Sequence, residues 1–164
     1  MTILNRKWIY SVVIGVVLVG GIALAPYLFH MVERQFYAKP GDPLGTINAA
    51  EETYRSVYPK RGYSRTLAEL SGTNCGTPTE TSACLIDQAL ANATSAASAK
   101  SGYVYTYVTG PPNAEGVIES YSVHGDPATN KSGANHFYTD QTGVIRIKSG
   151  KPADKDSPIR KSDY

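Results

Sequence analysis

The chain has 164 residues, which suits a single domain of ordinary size behind an N-terminal segment. Apolar residues make up 41% and charged residues 18%, a balance that excludes a disordered protein. The net charge of +2 comes from Arg6 and Lys7, because the rest of the chain carries equal numbers of basic and acidic residues. A neutral domain has no electrostatic basis for binding nucleic acid, so we predict no nucleic-acid partner.

The first strong pattern is an uncharged, apolar run of 22 residues from Trp8 to Phe29. At about 1.5 Å rise per residue, such a helix spans about 33 Å, enough to cross a hydrocarbon core of about 30 Å. A cleaved signal peptide is the alternative, since Ala23-Leu24-Ala25 fits a cleavage site. The apolar region of a signal peptide is normally only about 7 to 15 residues long. We therefore predict a retained single-pass transmembrane helix over 8–29.

The residues around this apolar run predict its orientation and its contacts. The basic pair before the run places residues 1–7 in the cytoplasm and the rest of the domain on the periplasmic side. The residues predicted at the two membrane interfaces are Trp8, Tyr10, Tyr27 and His30. Small residues four apart, which allow close packing against other membrane helices, are Ser11 with Gly15 and Gly21 with Ala25. The predicted partners are the lipid bilayer and other membrane-protein subunits.

Two cysteines, Cys75 and Cys84, enclose a short and mostly polar stretch at 76–83. Such a loop can close through a disulfide in an oxidising compartment, in agreement with a location outside the cytoplasm. Two free thiols or half of a metal site are the alternatives. The spacing is far wider than in the usual zinc sites and no histidine neighbours the pair, so we predict a disulfide.

In the remaining chain, helical patterns precede strand patterns. Asp42 as N-cap and Pro43 at the first helical position predict a helix to about Tyr58. Its charged residues, Glu51 among them, are predicted to lie away from an apolar stripe of Ile47, Ala50, Tyr54 and Val57. Shorter helical segments are predicted at 66–70 and 84–92, followed by a flexible connector at 93–101. Alternation with a period of two predicts strands at 103–108, 117–124, 136–139 and 144–148. Helices followed by a meandering antiparallel sheet of about four strands predict an α+β domain.

These elements set the predicted domain bounds. A juxtamembrane lead-in at 30–42 comes before the domain, which spans 43–149. From 150 to 164 the chain contains almost nothing apolar. We therefore predict a flexible polar tail over 150–164 that stays disordered unless a partner holds it.

Several segments of the chain resemble one known family. The segments are 22–28 with its proline, Thr46-Ile47-Asn48-Ala49-Ala50-Glu51-Glu52-Thr53-Tyr54, Gly62-Tyr63-Ser64-Arg65-Thr66-Leu67-Ala68-Glu69-Leu70, 84–87, 101–103 and 138–146. With the order of an apolar helix, a short disulfide loop and a small sheet, they resemble the type IV pilin and pseudopilin family. The resemblance covers most of the chain to about Lys148 and implies a pilin-like fold.

The chain also departs from the pilin pattern at its N-terminus. Pilins are cut after a glycine before the span, and a glutamate early in the mature helix pairs with a neighbouring subunit. Here no glycine precedes the span, and Val12 or Val13 stands where that glutamate would be. The prolines and glycine within 37–43 also interrupt the long family helix. The features needed for polymerisation are therefore missing from the pattern.

Two functional classes follow from these matches and departures. The favoured one is a non-catalytic accessory or structural subunit of a bacterial inner-membrane complex, for example a respiratory or photosynthetic one, built on a pilin-like fold. The alternative is a subunit of a type IV pilus or of a type II secretion apparatus.

The sequence offers no catalytic or cofactor pattern. Neither His124 nor His136 has a partner that the sequence fixes, and we predict no catalytic residue and no enzyme. A haem-attachment motif, a phosphate loop and a dinucleotide fingerprint are all lacking, which predicts no cofactor. Oxygen-bearing residues that calcium could use are Asp126, Asn130, Asn135 and Asp140. Their spacing is not that of an EF-hand, so polar turn residues are the favoured interpretation and no metal is predicted.

Overall fold

The computed structural model describes residues 42–129 and 133–161. The predicted membrane span at 8–29 and most of the lead-in lie outside these residues. The same holds for the predicted interface and packing residues Trp8, Tyr10, Tyr27, His30, Ser11, Gly15, Gly21 and Ala25. Across the described part of the chain, none of the helices combines the length and the apolar character that a membrane crossing requires.

Helix α1, Pro43–Val57, forms where the sequence predicts it. The Asp42 carboxylate accepts a hydrogen bond from the Gly45 N–H at 3.3 Å, which satisfies a free donor of the first turn. At the other end, the Tyr58 N–H donates to the Tyr54 carbonyl and closes the last turn. The buried face of α1 consists of Leu44, Ile47, Asn48, Ala50, Glu51 and Tyr54. Ile47, Ala50 and Tyr54 lie on this face as predicted. Val57 was predicted to share it but is 59% exposed, and Glu51 was predicted to lie elsewhere but is buried here.

The sheet is a four-stranded antiparallel meander in which each strand pairs with the next along the chain. The strands are β1 Tyr103–Thr109, β2 Tyr121–Pro127, β3 Asn135–Asp140 and β4 Arg146–Ser149. The inner face of the sheet buries Tyr105, Tyr121, Val123 and Thr139, which pack with α1 in the core. This architecture confirms the predicted α+β class and the four-stranded antiparallel sheet.

The two short helices are α2, Leu67–Leu70, and α3, Gln88–Ala91. The predicted helix at 84–92 therefore begins later than expected, with Asp87 as its N-cap. Residues 83–86 instead donate their backbone N–H groups to carbonyls within 69–71. Cys84 has a φ of 56°, in the left-handed region, so a right-handed helix cannot begin there.

The connector at 93–101 contains more structure than the predicted flexible linker. A 3₁₀ turn occupies Ala96–Ser98. Ala93 is fully buried, and its carbonyl accepts the Tyr105 N–H at 2.7 Å. The small residue Ala93, which the sequence assigned to a flexible connector, therefore packs in the core and contacts β1.

Strand β2 is shifted from the predicted 117–124. Ile118 pairs with the loop after α1, donating its N–H to the Arg61 carbonyl and accepting the Tyr63 N–H, both at 2.9 Å. The strand continues instead through Gly125, where a Cβ atom would lie 3.3 Å from the Tyr105 ring. A glycine fits in this strand because an aromatic ring packs directly over its backbone.

The described tail residues, 150–161, differ from the predicted flexible tail. The Ile147 N–H donates to the Pro158 carbonyl, and the Arg160 N–H donates to the Ile145 carbonyl, both at 2.9 Å. Ala153 and Ser157 are buried. The tail lies along the outer edge of β4 because backbone groups on that edge supply partners that a polar composition does not reveal.

Candidate functional site

The buried carboxyl of Glu51 is the centre of a polar network between α1 and the sheet. Its side chain is fully buried. One carboxyl oxygen accepts the Ser64 hydroxyl at 2.6 Å and the Tyr107 hydroxyl at 2.5 Å. The other accepts the Ser64 N–H at 3.0 Å. Glu51 thereby joins α1 to the loop before α2 and to β1.

Burial determines the electrostatics of this network. Loss of water raises the pKa of Glu51 above its ordinary 4.5, while the hydrogen bonds from Ser64 and Tyr107 oppose that rise. The pKa of Tyr107 is also raised, first by burial and then by the nearby charge of Glu51. The Tyr107 hydroxyl therefore keeps its proton and remains a donor at neutral pH.

Asn48, one turn before Glu51, forms a second buried set of contacts. Its amide nitrogen donates to the Thr139 hydroxyl at 2.9 Å and to the Gly143 carbonyl at 3.0 Å. Its amide oxygen accepts the Tyr121 hydroxyl at 3.0 Å. Through this one side chain α1 is bonded to β2, to β3 and to the turn that follows β3.

The network has contacts suited to holding a helix against a sheet. Ser64 beside Glu51 is the residue pair that could suggest a nucleophile and a base, but both side chains are fully buried. Within 42–129 and 133–161, every buried side-chain nitrogen and oxygen already has a hydrogen-bond partner. The buried polar atoms of the described network therefore bond within the fold.

On the outer face of the sheet, the structure gives His136 a partner that sequence reasoning missed. His136 Nδ1 lies 2.6 Å from the Asp126 carboxylate. The pair follows from the β2–β3 register, in which His124 is opposite Tyr138. The predicted β2 ended at His124, so Asp126 was not placed on a strand. A predicted β2 that continued to Asp126 would have indicated that this residue neighbours His136.

The histidines and the oxygen-bearing residues do not converge on a metal site in the described part of the chain, where no cluster of three His, Cys, Asp or Glu side chains could hold an ion. His124 packs edge-on against Tyr138, with ring centroids 5.1 Å apart. The Asn135 amide oxygen accepts the Ser149 hydroxyl, and the Asp140 carboxylate accepts the Thr142 N–H. Asn130 lies outside the described residues.

The cysteine loop is attached to the end of α1. Cys75 and Cys84 have their sulfur atoms 2.18 Å apart, at disulfide distance, and their Cα atoms 5.6 Å apart. Within the loop, the Glu80 carbonyl accepts the Tyr54 hydroxyl at 2.6 Å. A Cβ atom on Gly72 would lie 2.5 Å from the sulfur of Cys84. Glycine is therefore required at position 72 for the two sulfur atoms to meet.

Comparison with models of protein families, with curated proteins and with solved structures finds no match for the chain. The segments that resemble pilins are therefore interpreted from their contacts. Segment 46–54 supplies Asn48 and Glu51, and segment 62–70 supplies Ser64. The two segments meet in the closed interior, where Glu51 bonds to Ser64.

Proposed function

We propose that the chain is a non-catalytic, membrane-anchored structural or accessory subunit of a bacterial inner-membrane complex, with a pilin-like domain in the periplasm. The apolar run at 8–29 would be its anchor, and residues 1–7 would lie in the cytoplasm. A respiratory or photosynthetic assembly is the kind of complex that we expect.

The contact between the two pilin-like segments carries this proposal. Their most distinctive polar side chains, Glu51 and Ser64, form hydrogen bonds with each other in the interior. Because these polar side chains bond within the fold, they favour a domain that acts through contacts at its surface. Among the residues that the structure describes, the large apolar side chains exposed on that surface are Val57, Val108 and Ile159. Such side chains offer contacts to neighbouring subunits.

The anchor is tested by expressing the full chain with a periplasm-active reporter at its C-terminus. We expect reporter activity in the membrane fraction that resists extraction at alkaline pH. Val16→Arg is the matched variant, because a charge at the centre of a span costs about 2.5 to 3.5 kcal/mol on insertion scales. A soluble wild-type product, or insertion that Val16→Arg leaves unchanged, would contradict the proposed anchor.

The class of complex is tested by purification from the native membrane. We expect the chain to co-purify with other membrane subunits and to keep an unprocessed N-terminus by mass spectrometry. The alternative, a pilus or type II secretion subunit, is favoured by segments 46–54 and 62–70 alone. It predicts recovery in sheared filaments with a shortened and methylated N-terminus, a result that would exclude the accessory subunit.

A further inference from the structure

The Cys75–Cys84 disulfide closes a loop whose two ends are held differently by the domain. Cys75 is exposed, as are the residues from 76 to 81. Cys84 is half-buried, and its sulfur lies over Gly72, where a Cβ atom would come within 2.5 Å of it. The backbone of Cys84 is also bonded, since its N–H donates to the Ser71 carbonyl at 3.3 Å. The Cys75 end of the link therefore faces solvent, and the Cys84 end packs against the domain.

In the part of the chain that the structure describes, few polar contacts besides the disulfide hold the inside of the loop. Thr79 and Ser82 exchange two backbone hydrogen bonds, each at 3.1 Å. Between the loop and the rest of the domain, the Glu80 carbonyl accepts the Tyr54 hydroxyl, and the Glu80 carboxylate lies 3.8 Å from the Arg61 guanidinium. An exposed segment with so few bonds to its surroundings can open by itself while the core stays folded.

The chain on the Cys84 side of the loop is held by contacts that do not need the disulfide. The backbone N–H groups of residues 83–86 donate to carbonyls within 69–71. Ala83 and Ile86 are buried in the core. Breaking the sulfur–sulfur bond removes none of these contacts. Cys84 should therefore keep its position when the loop opens, and the exposed cysteine should move.

We propose that this disulfide is a thiol–disulfide exchange site, at which a thiolate attacks Cys75 and opens the loop while the rest of the domain stays folded. The attacking thiolate approaches in line with the sulfur–sulfur bond, so the attacked sulfur needs free access. Exposure gives that access to Cys75, whereas the fold covers Cys84. A new sulfur–sulfur bond forms between the attacking thiol and Cys75, and Cys84 leaves with the bonding electrons as a thiolate.

A dithiol is the class of reductant that completes the reaction. Its second thiolate attacks the reductant's own sulfur in the mixed disulfide, so Cys75 leaves in turn as a thiolate. Two electrons pass from the dithiol to the disulfide, and the dithiol becomes a disulfide. The protons lost by the two thiols of the reductant are taken up by Cys75 and Cys84. The inference uses only contacts within the domain and does not rest on the proposed function.

The attacked sulfur is identified with glutathione as the probe and the full chain in detergent. The reaction is quenched with acid at early times, and mass spectrometry of the peptides shows which cysteine carries glutathione. We expect Cys75 to be labelled at least tenfold more than Cys84. The same reaction in urea is the control, where the preference should disappear because the fold no longer covers Cys84. Equal labelling of the folded chain, or a preference that persists in urea, would overturn the assignment.

The opening of the loop is measured by amide hydrogen exchange, followed by NMR, before and after reduction with dithiothreitol. We expect the Thr79 and Ser82 amides to exchange at least tenfold faster in the reduced chain, while the amides of 83–86 and of α1 stay protected. The double variant Cys75→Ser with Cys84→Ser is the control, and its loop should exchange fast with or without dithiothreitol. Unchanged exchange at Thr79 and Ser82, or lost protection across 83–86 and α1, would contradict local opening.

Discussion

The interface between α1 and the sheet differs from the C-terminal tail in where its polar contacts lie. Glu51 forms its hydrogen bonds with no exposed side-chain surface. Lys155 and Asp156 in the tail pair at 2.8 Å with side chains that are 73% and 78% exposed. Water and salt weaken an exposed pair, whereas a buried group that loses its partner has no water to replace it. Polar contacts of similar length should therefore contribute unequally to stability.

The largest expected effect is that of Glu51→Ala. The change removes the buried acceptor of the Ser64 N–H. It also removes the shortest contact of the Ser64 and Tyr107 hydroxyls, which leaves Ser64 with the Thr66 carbonyl at 3.1 Å and Tyr107 with the Ser64 carbonyl at 2.9 Å. We expect the free energy of unfolding to fall by about 3 kcal/mol, the size typical of lost partners in a buried network. Urea unfolding of the full chain in detergent, followed by near-ultraviolet circular dichroism of the tyrosines, measures it.

Two further variants of α1 serve as controls for that result. Glu51→Gln keeps the shape and one acceptor oxygen, so its loss should be smaller. Glu52, the next residue, is only half-buried and accepts the Tyr63 hydroxyl at 3.0 Å. For Glu52→Ala we expect a loss below about 1 kcal/mol. Equal losses for Glu51→Ala and Glu52→Ala would remove the distinction between interior and surface.

The sequence predicts α1 well but does not reveal its buried polar residues. Capping by Asp42 and the spacing of Ile47, Ala50 and Tyr54 are local features, which is why the helix could be placed. Asn48 and Glu51, three residues apart, share a face by helix geometry, and distant hydrogen-bond partners allow that polar face to be buried. Glu51 bonds to a residue 13 positions away, and Asn48 to one 91 positions away. No local pattern encodes such partners.

The next effect concerns the cysteine loop, which is exposed like the tail but closed by a covalent link. Replacing both Cys75 and Cys84 by serine should lower the free energy of unfolding by about 2 kcal/mol, since a short loop gives modest stabilisation in the loop-entropy model. Thr77→Ala, an exposed change inside the loop, should leave stability unaltered. If a reductant does not shift wild-type urea unfolding, the loop contributes no more than an exposed ion pair does.

The pH dependence of stability tests the interior more finely. Burial raises the pKa of Glu51 above 4.5 in the folded state, so folding favours the protonated carboxyl. This contribution is complete below the unfolded pKa and is lost as pH rises through the folded pKa. We expect the free energy of unfolding to fall as the pH rises through that window.

Glu51→Gln isolates this contribution because it removes the titrating group. Other carboxyls act in the opposite direction, since the bond from Lys100 and the N-cap contact lower the pKa of Asp87. The quantity to follow across pH is therefore the difference in the free energy of unfolding between wild type and Glu51→Gln. A difference that does not change with pH would show that the Glu51 carboxyl has the same pKa folded and unfolded.

Strands and tail show where sequence reasoning failed. The alternation of β1 placed that strand nearly correctly. In β2 the same alternation began too early, because Ile118 pairs with the loop after α1, and ended before Gly125, which an aromatic ring covers. The tail was predicted to be flexible because its composition is polar. Its order comes from backbone pairing with β4, which composition does not report.

The smallest effect is expected for Arg160→Ala in the tail. Arg160 forms an ion pair with Asp42, and its guanidinium lies 6.0 Å from the centre of the Phe137 ring. Because the arginine side chain is one-third exposed, we expect a loss of about 1 kcal/mol or less, reduced further by salt. Lys155→Ala, at a more exposed pair, should have no measurable effect. A loss for Arg160→Ala as large as that for Glu51→Ala, and independent of salt, would instead place the tail within the cooperative core. The distinction between the interior and the tail would then not apply to Arg160. Its contact with Asp42 would stabilise the attachment of the tail to α1 as much as Glu51 stabilises the attachment of α1 to the sheet.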